Sequence, residues 1–217
     1  MTTMVDAIVV EGLALRRGGI EILRDVAFRV DRGLVGLVGP NGSGKSSLLR
    51  VLAGVADPHV GRVAIAGHDL RAAPIEARAA LGYMPQSEEF FAYLSAAELL
   101  RTFADVRGLG DAEVDRFVAL TRPGAADLPI GTLSSGQRRK LAFVAATQGS
   151  PTLWLLDEPT NALDDDARAH VRDALQRHCE RGGTAVVATH RAGELPSPPQ
   201  HRLEVGRHTV RHTVMRA

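Results

Sequence analysis

The chain reads as an α/β protein with a parallel-sheet core, an N-terminal antiparallel β subdomain and an inserted α-helical subdomain. Three observations carry that reading. First, the short apolar runs LVGLVG, TLWLLDEP and TAVVATH have the length and bulk of strands buried on both faces. Second, the opening thirty residues alternate apolar and polar side chains, DAIVVEGLAL then GGIEILRDVAFRV, around a Gly-Gly turn. Third, from Ser95 to about Leu120 the period becomes helical, in AAELLRTFADVRG and DAEVDRFVAL. Strand–helix–strand order on both sides of a helical middle predicts a single domain, 1–217. Its core covers 1–86 and 138–217, with an insertion over about 87–137.

The other elements follow in chain order. SSLLRVLAGV has helical spacing and stops at Gly54, GRVAIAGHDL reads as a strand pair, and ALGYMPQ is a strand broken at Pro85. The two middle helices meet at Gly-Leu-Gly, with Asp111 placed to cap the second. RRKLAFVAATQG is a helix closed by glycine, and DDDARAHVRDALQRHCERGG is an amphipathic one. After the proline-rich break ELPSPPQ, RLEV and HTVRHTV read as short edge strands.

Composition excludes several function classes. A formal net charge of +1 gives no reason to expect nucleic acid or an anionic membrane as the main partner. The basic run Arg138-Arg139-Lys140 reads as a solvated helix face. Cys179 is the only cysteine, which excludes an intramolecular disulfide and a multi-cysteine zinc site, and a structural role is expected for it. Neither a secretory signal nor an apolar run of about 20 residues is present, so a soluble, cytoplasmic chain is expected.

Gly39 to Ser46, GPNGSGKS, fits the pattern GxxxxGK(S/T) between a predicted strand and a predicted helix, the context that marks a phosphate loop. Gly39, Gly42 and Gly44 let the backbone curl so that its N–H groups face phosphate oxygens, and the helix starting near Lys45 aims its positive end at the same anion. Lys45 reaches the β- and γ-phosphates, while the Ser46 hydroxyl is placed for Mg²⁺. Pro40, Asn41, Ser43 and Ser47 complete the segment. The buried run TLWLLDEP ends in Asp157, which stands beside the loop and can hold the metal directly or through water. Glu158 follows. In an extended chain it points to the opposite face, which suits it to polarise an attacking water; the other reading of the Asp-Glu pair is a solvated strand end.

GPNGSGKSS, YMPQ, LSSGQ, LWLLDEP, NALD and ATH, in this order, resemble the ATP-binding subunit of an ABC transporter over essentially the whole chain. The resemblance implies the P-loop NTPase fold of ABC type and ATP hydrolysis with Mg²⁺. LSSGQ is the discriminating segment. The resemblance implies that Ser134, Ser135, Gly136 and Gln137 bind the γ-phosphate held by a second subunit, so that two ATP molecules lie between head-to-tail copies. A symmetric homodimer would use each surface twice. Residue chemistry is compatible, because a helix N-terminus binds anions and Gly136 allows close approach. By the same likeness Gln86 reaches Mg²⁺ and the water, and His190 contacts the γ-phosphate. Catalysis then falls to Glu158, Gln86 and His190, and metal binding to Ser46, Gln86 and Asp157.

The chain departs from the family pattern in places. Arg17 stands where an aromatic residue usually stacks on adenine; either its guanidinium stacks instead or it is a surface arginine. Ser135 replaces a glycine, and Arg191 follows His190 in place of an acidic residue. The aromatic residues Phe90, Phe91 and Tyr93 fall where the family receives a short helix of its membrane subunit, and they form either a docking surface or core packing. The leading expectation is an ATPase subunit of the short haem-exporter-like or drug-exporter-like type. It would act at the cytoplasmic face of the inner or plasma membrane through a separate membrane-spanning subunit, with export favoured. The competing reading is a soluble ABC ATPase that remodels a protein complex, of the iron–sulfur assembly type. DNA-repair and chromosome-maintenance ATPases are disfavoured, since no heptad run separates Lys45 from Ser134. A regulator that binds ATP without turning it over is disfavoured by Glu158.

Overall fold

The computed structural model describes residues 5–110, 112–190 and 195–215. The cap expected of Asp111 and the departure at Arg191 lie outside the described residues. Strands β1 (Ile8–Arg17) and β2 (Ile20–Val30) pair antiparallel on either side of Gly18-Gly19. With β4 (Val60–Ile65) and β5 (His68–Asp69) they form an antiparallel sheet of order β2-β1-β4-β5. The second sheet has order β10-β9-β3-β8-β7-β6. In it β3 (Gly33–Val38), β6 (Leu81–Met84), β7 (Leu153–Asp157), β8 (Thr184–Ala188) and β9 (His201–Val205) run parallel. Only β10 (Val210–Val214) is antiparallel to its neighbour.

Every residue of β7 and β8 is buried, as continuous apolar runs require when both faces of a sheet are covered. Between the two sheets lies α1 (Lys45–Leu52), which buries Leu48, Leu49, Val51 and Leu52. The opposite face of the parallel sheet is covered by α5 (Ser135–Thr147) and α6 (Asp165–Glu180), around Phe143, Trp154 and Leu175. A third apolar cluster joins α3 (Ala96–Val106) and α4 (Ala112–Leu120) through Leu100 and Phe117. Ser95 starts α3 with a capping box closed by Glu98. Helix α5 serves two clusters: Ala142, Phe143 and Ala146 face the sheet, while Leu141, Val144 and Ala145 face α3 and α4. It is therefore apolar around most of its circumference.

Three expectations are corrected. RLEV is not an edge strand: β9 is sandwiched between β10 and β3, and it buries His201, Leu203 and Val205 on one face. Helix α5 begins at Ser135, inside LSSGQ, because Ser134 and Gln137 form a reciprocal capping box three residues earlier than the apolar pattern starts. The short α2 (Pro74–Ala79) was not expected, since it buries only Ala77 and so has no apolar stripe to read.

Helix α5 and β6 meet backbone to backbone at Gly82, where a Cβ atom would fall 1.7 Å from the Ala146 carbonyl oxygen. Gly82→Ala should force α5 off the sheet. The expected loss is about 2–3 kcal/mol, read as a Tm roughly 5–10 °C lower in thermal unfolding; an unchanged Tm would show that the two elements are not so tightly joined.

Candidate nucleotide site

Parallel pairing levels the carboxyl ends of β3, β8 and β7: Ala188 stands beside both Leu37 and Asp157. Ligands of open parallel sheets bind outside these ends. The segment after β3 turns sharply at Gly39 (φ 153°) and Gly44 (φ 108°) before α1 begins at Lys45. A Cβ on Gly39 would fall 2.3 Å from the Val205 carbonyl oxygen, so the first glycine is also required by packing. Lys45 is buried, and its Nζ donates to the carbonyls of Gly39 (2.8 Å) and Pro40 (2.9 Å). The lysine thus lies across its own loop.

Asp157 is 2% exposed, and its Oδ2 has no hydrogen-bond partner among the described residues. Burial raises its carboxyl pKa above the ordinary range, against the opposing hydrogen bond of the Ser46 hydroxyl. Burial, then the nearby Asp157 charge, pushes the Tyr83 hydroxyl up to about 12. A buried carboxylate oxygen without a partner, next to a hydroxyl, is the hard-oxygen chemistry that fits Mg²⁺.

Glu158 is also buried, but not as an extended chain would place it. The strand ends at Asp157, and Glu158 adopts a left-handed backbone (φ 51°), with its N–H donating to the Ala188 carbonyl at 2.9 Å. The side chain meets His190, whose Nδ1 lies 3.0 Å from both carboxylate oxygens. Two residues read separately from the sequence therefore form one pair, an arrangement suited to handling a proton.

A cleft of about 370 Å³ brings together Arg17, Asn41, Gly42, Gly44, Lys45, Ser46, Ser47, Gln86, Asp157 and Glu158. Arg17 is exposed beside the β1–β2 turn, at the cleft rim. Ser134, Ser135, Gly136 and Gln137 do not line this cleft; Ser134 and Ser135 are exposed at the start of α5. Gly136 has a further reason to be glycine, because a Cβ there would fall 2.8 Å from the Ala162 carbonyl oxygen. That contact packs α5 on the turn before α6, and the 2.8 Å ion pair of Lys140 with Asp164 reinforces it.

Sequence reasoning missed Arg139. The run Arg138-Arg139-Lys140 is not a solvated face: Arg138 donates to the Leu133 carbonyl, Lys140 pairs with Asp164, and Arg139 is 3% exposed. Arg139 shares a helical stripe with Ala142, Phe143 and Ala146, and a charge on an apolar stripe was the available signal.

The aromatic stretch divides between its two readings. Phe90 packs against the sheet-side and α3–α4 clusters, whereas Phe91 (63% exposed) and Tyr93 (76% exposed) face solvent with ring centroids 5.7 Å apart. Nearby, Phe90, Val55, Phe103 and Val106 contribute to a groove of about 640 Å³. Cys179 is partly buried, with its thiol pushed up to about 11 by burial, which suits a structural role. No helix among the described residues is long and apolar enough to cross a membrane.

Comparison with known proteins identifies the family. Residues 23–161 match the ABC transporter family model. The cytochrome c biogenesis ATP-binding export protein CcmA of Cupriavidus pinatubonensis is 43% identical over 183 residues, covering 82% of this chain and 81% of that one. Its namesake in Mesorhizobium japonicum is 37% identical over 187 residues, covering 84% of this chain and 91% of that one. Among solved structures, an ATP-binding subunit of an ABC transporter superposes with a TM-score of 0.86 at 25% identity, covering 96% of this chain and 90% of that one. A dimeric ATP-binding cassette bound to ADP and phosphate after hydrolysis superposes with a TM-score of 0.85 at 22% identity, covering 97% and 99%. The chain belongs to the ABC transporter family, as one of its ATP-hydrolysing, ATP-binding subunits.

Proposed function

We propose that this chain powers export through a separate membrane-spanning subunit by closing head-to-tail on a second copy around two ATP molecules. One observation carries this reading. The chain presents two phosphate-ready surfaces, the loop at Gly39–Ser47 and the exposed, capped N-terminus of α5, and they do not meet within one molecule. A second copy supplies the missing half of each site. The export names of the similar proteins favour transport over remodelling of a soluble complex.

In this reading the amides of Gly39–Ser47 cradle the phosphates, and Lys45 exchanges its two carbonyl partners for β- and γ-phosphate oxygens. Ser46, Asp157 and Gln86 would hold Mg²⁺, which neutralises phosphate charge when bound. Glu158 accepts a hydrogen bond from the attacking water and polarises it. His190, already on the Glu158 carboxylate, orients that group and turns its exposed side toward the γ-phosphate. Gln86 positions the water from the opposite wall. Ser134, Ser135, Gly136 and Gln137 of the second copy complete the phosphate shell. Arg17 lays its guanidinium plane on the adenine.

The apolar groove and the exposed Phe91–Tyr93 pair are the docking site for the membrane subunit, which holds the chain at the cytoplasmic face of the membrane. The chain works as one domain with a core over 1–86 and 138–217 and an inserted helical part over 87–137. The separate apolar cluster of α3 and α4 supports that division.

Two substitutions separate binding from turnover. Glu158→Gln should keep ATP affinity, lower turnover by about 100-fold or more and accumulate an ATP-dependent dimer in size-exclusion chromatography; hydrolysis at the wild-type rate would remove Glu158 from the reaction. Ser134→Arg should abolish turnover while ATP binding by the monomer stays unchanged. Full activity in that variant would refute the shared site.

A further inference from the structure

The guanidinium of Arg139 is buried where three segments of the proposed machinery meet. Its Nη1 donates to the carbonyls of Pro85 (2.9 Å) and Gln86 (3.1 Å) and to Glu88 Oε1 (2.5 Å). Its Nη2 donates to the Glu158 carbonyl (2.6 Å) and to the Asp157 carbonyl. The side chain is 4% exposed and that of Glu88 15%, so the ion pair lies largely out of water. Glu88 and Pro85 also form part of the wall of the 640 Å³ groove. One planar group therefore ties the groove wall to the backbones of Gln86 and Glu158. It does so from α5, the helix whose N-terminus presents Ser134 and Ser135.

We propose that Arg139 is a positioning residue for ATP hydrolysis, and that its pair with Glu88 is the link by which an occupant of the groove acts on Gln86 and Glu158. The inference rests on the roles proposed above for those two residues. Two features favour positioning over mere cohesion. Apolar packing joins buried elements as well as an ion pair does, or better. Here the donors go to the carbonyls of the residues that must be placed. Glu158 also holds a left-handed backbone, a conformation that persists only where its surroundings determine it. Its N–H is held by the Ala188 carbonyl and its own carbonyl by Arg139. A planar fork reaches both sets of carbonyls at once, which a lysine ammonium on a single stem does not.

The test compares Arg139→Lys, Glu88→Gln and Glu158→Gln in the full chain with the wild type, measuring Tm, equilibrium ATP affinity, kcat and KM. Arg139→Lys should fold and keep ATP affinity and KM within about twofold, while kcat falls by about tenfold or more. Glu88→Gln should move kcat in the same direction by less. If Arg139→Lys does not fold, Glu88→Gln, which keeps the guanidinium, decides alone. Folded variants with wild-type kcat would overturn the proposal, as would kcat, affinity and Tm declining together. A Glu158→Gln protein that hydrolyses ATP normally would remove the roles on which the link depends, and the link with them. An inactive Glu158→Gln beside a fully active Arg139→Lys would remove the link alone.

Discussion

In-register parallel pairing of β3, β8 and β7 is the constraint on which the site depends. Because the three strands end level, the phosphate loop, the Asp157–Glu158 pair and His190 emerge at one edge of the sheet without any long connection. The strands hold that register because both faces are covered, by α1 and the antiparallel sheet on one side and by α5 and α6 on the other. A slip of one residue would turn an apolar side chain toward a different layer and move Asp157 away from Ser46. Core packing and site geometry are here the same requirement.

Seen from that edge, the chemistry divides by distance from water. Asp157 and Glu158 are buried, so their charges act in a poorly screened environment, while Arg17, Gln86, Ser134 and Ser135 stand exposed. The left-handed Glu158 is part of this division, because the turn away from the strand brings its carboxylate to His190. Helix α5 joins the two zones. Its first turn is presented outward, while its body bonds to the loop after β6, to the end of β7 and to the turn before α6.

Much of this was legible in the residues. The apolar runs, the glycine loop and the carboxylates at the end of TLWLLDEP are local patterns with local physical causes, and they located β3, β7 and most of the cleft. What was not legible depended on tertiary contact. RLEV carries the alternation of a half-buried strand, and only its neighbours reveal that β9 is interior. Arg139 looks like one of three basic residues on a helix; its burial follows from carbonyls contributed by segments more than fifty and nearly twenty positions earlier and later in the chain. At Gly136 the sequence suggests room for a phosphate, and only the tertiary structure adds the second demand for glycine, the carbonyl of Ala162 in the same chain. A strand end predicts an extended Glu158, whereas the tertiary contacts at the end of β7 hold it left-handed.

The lysine lying across its own loop has one more consequence. With Nζ bonded to the carbonyls of Gly39 and Pro40, the ammonium ties the loop to itself. An anion that takes the ammonium has to replace two bonds whose donor is already charged, so it must offer at least two acceptors in the same place. The loop thus carries within itself the acceptors that let a buried ammonium be accommodated without a counter-ion.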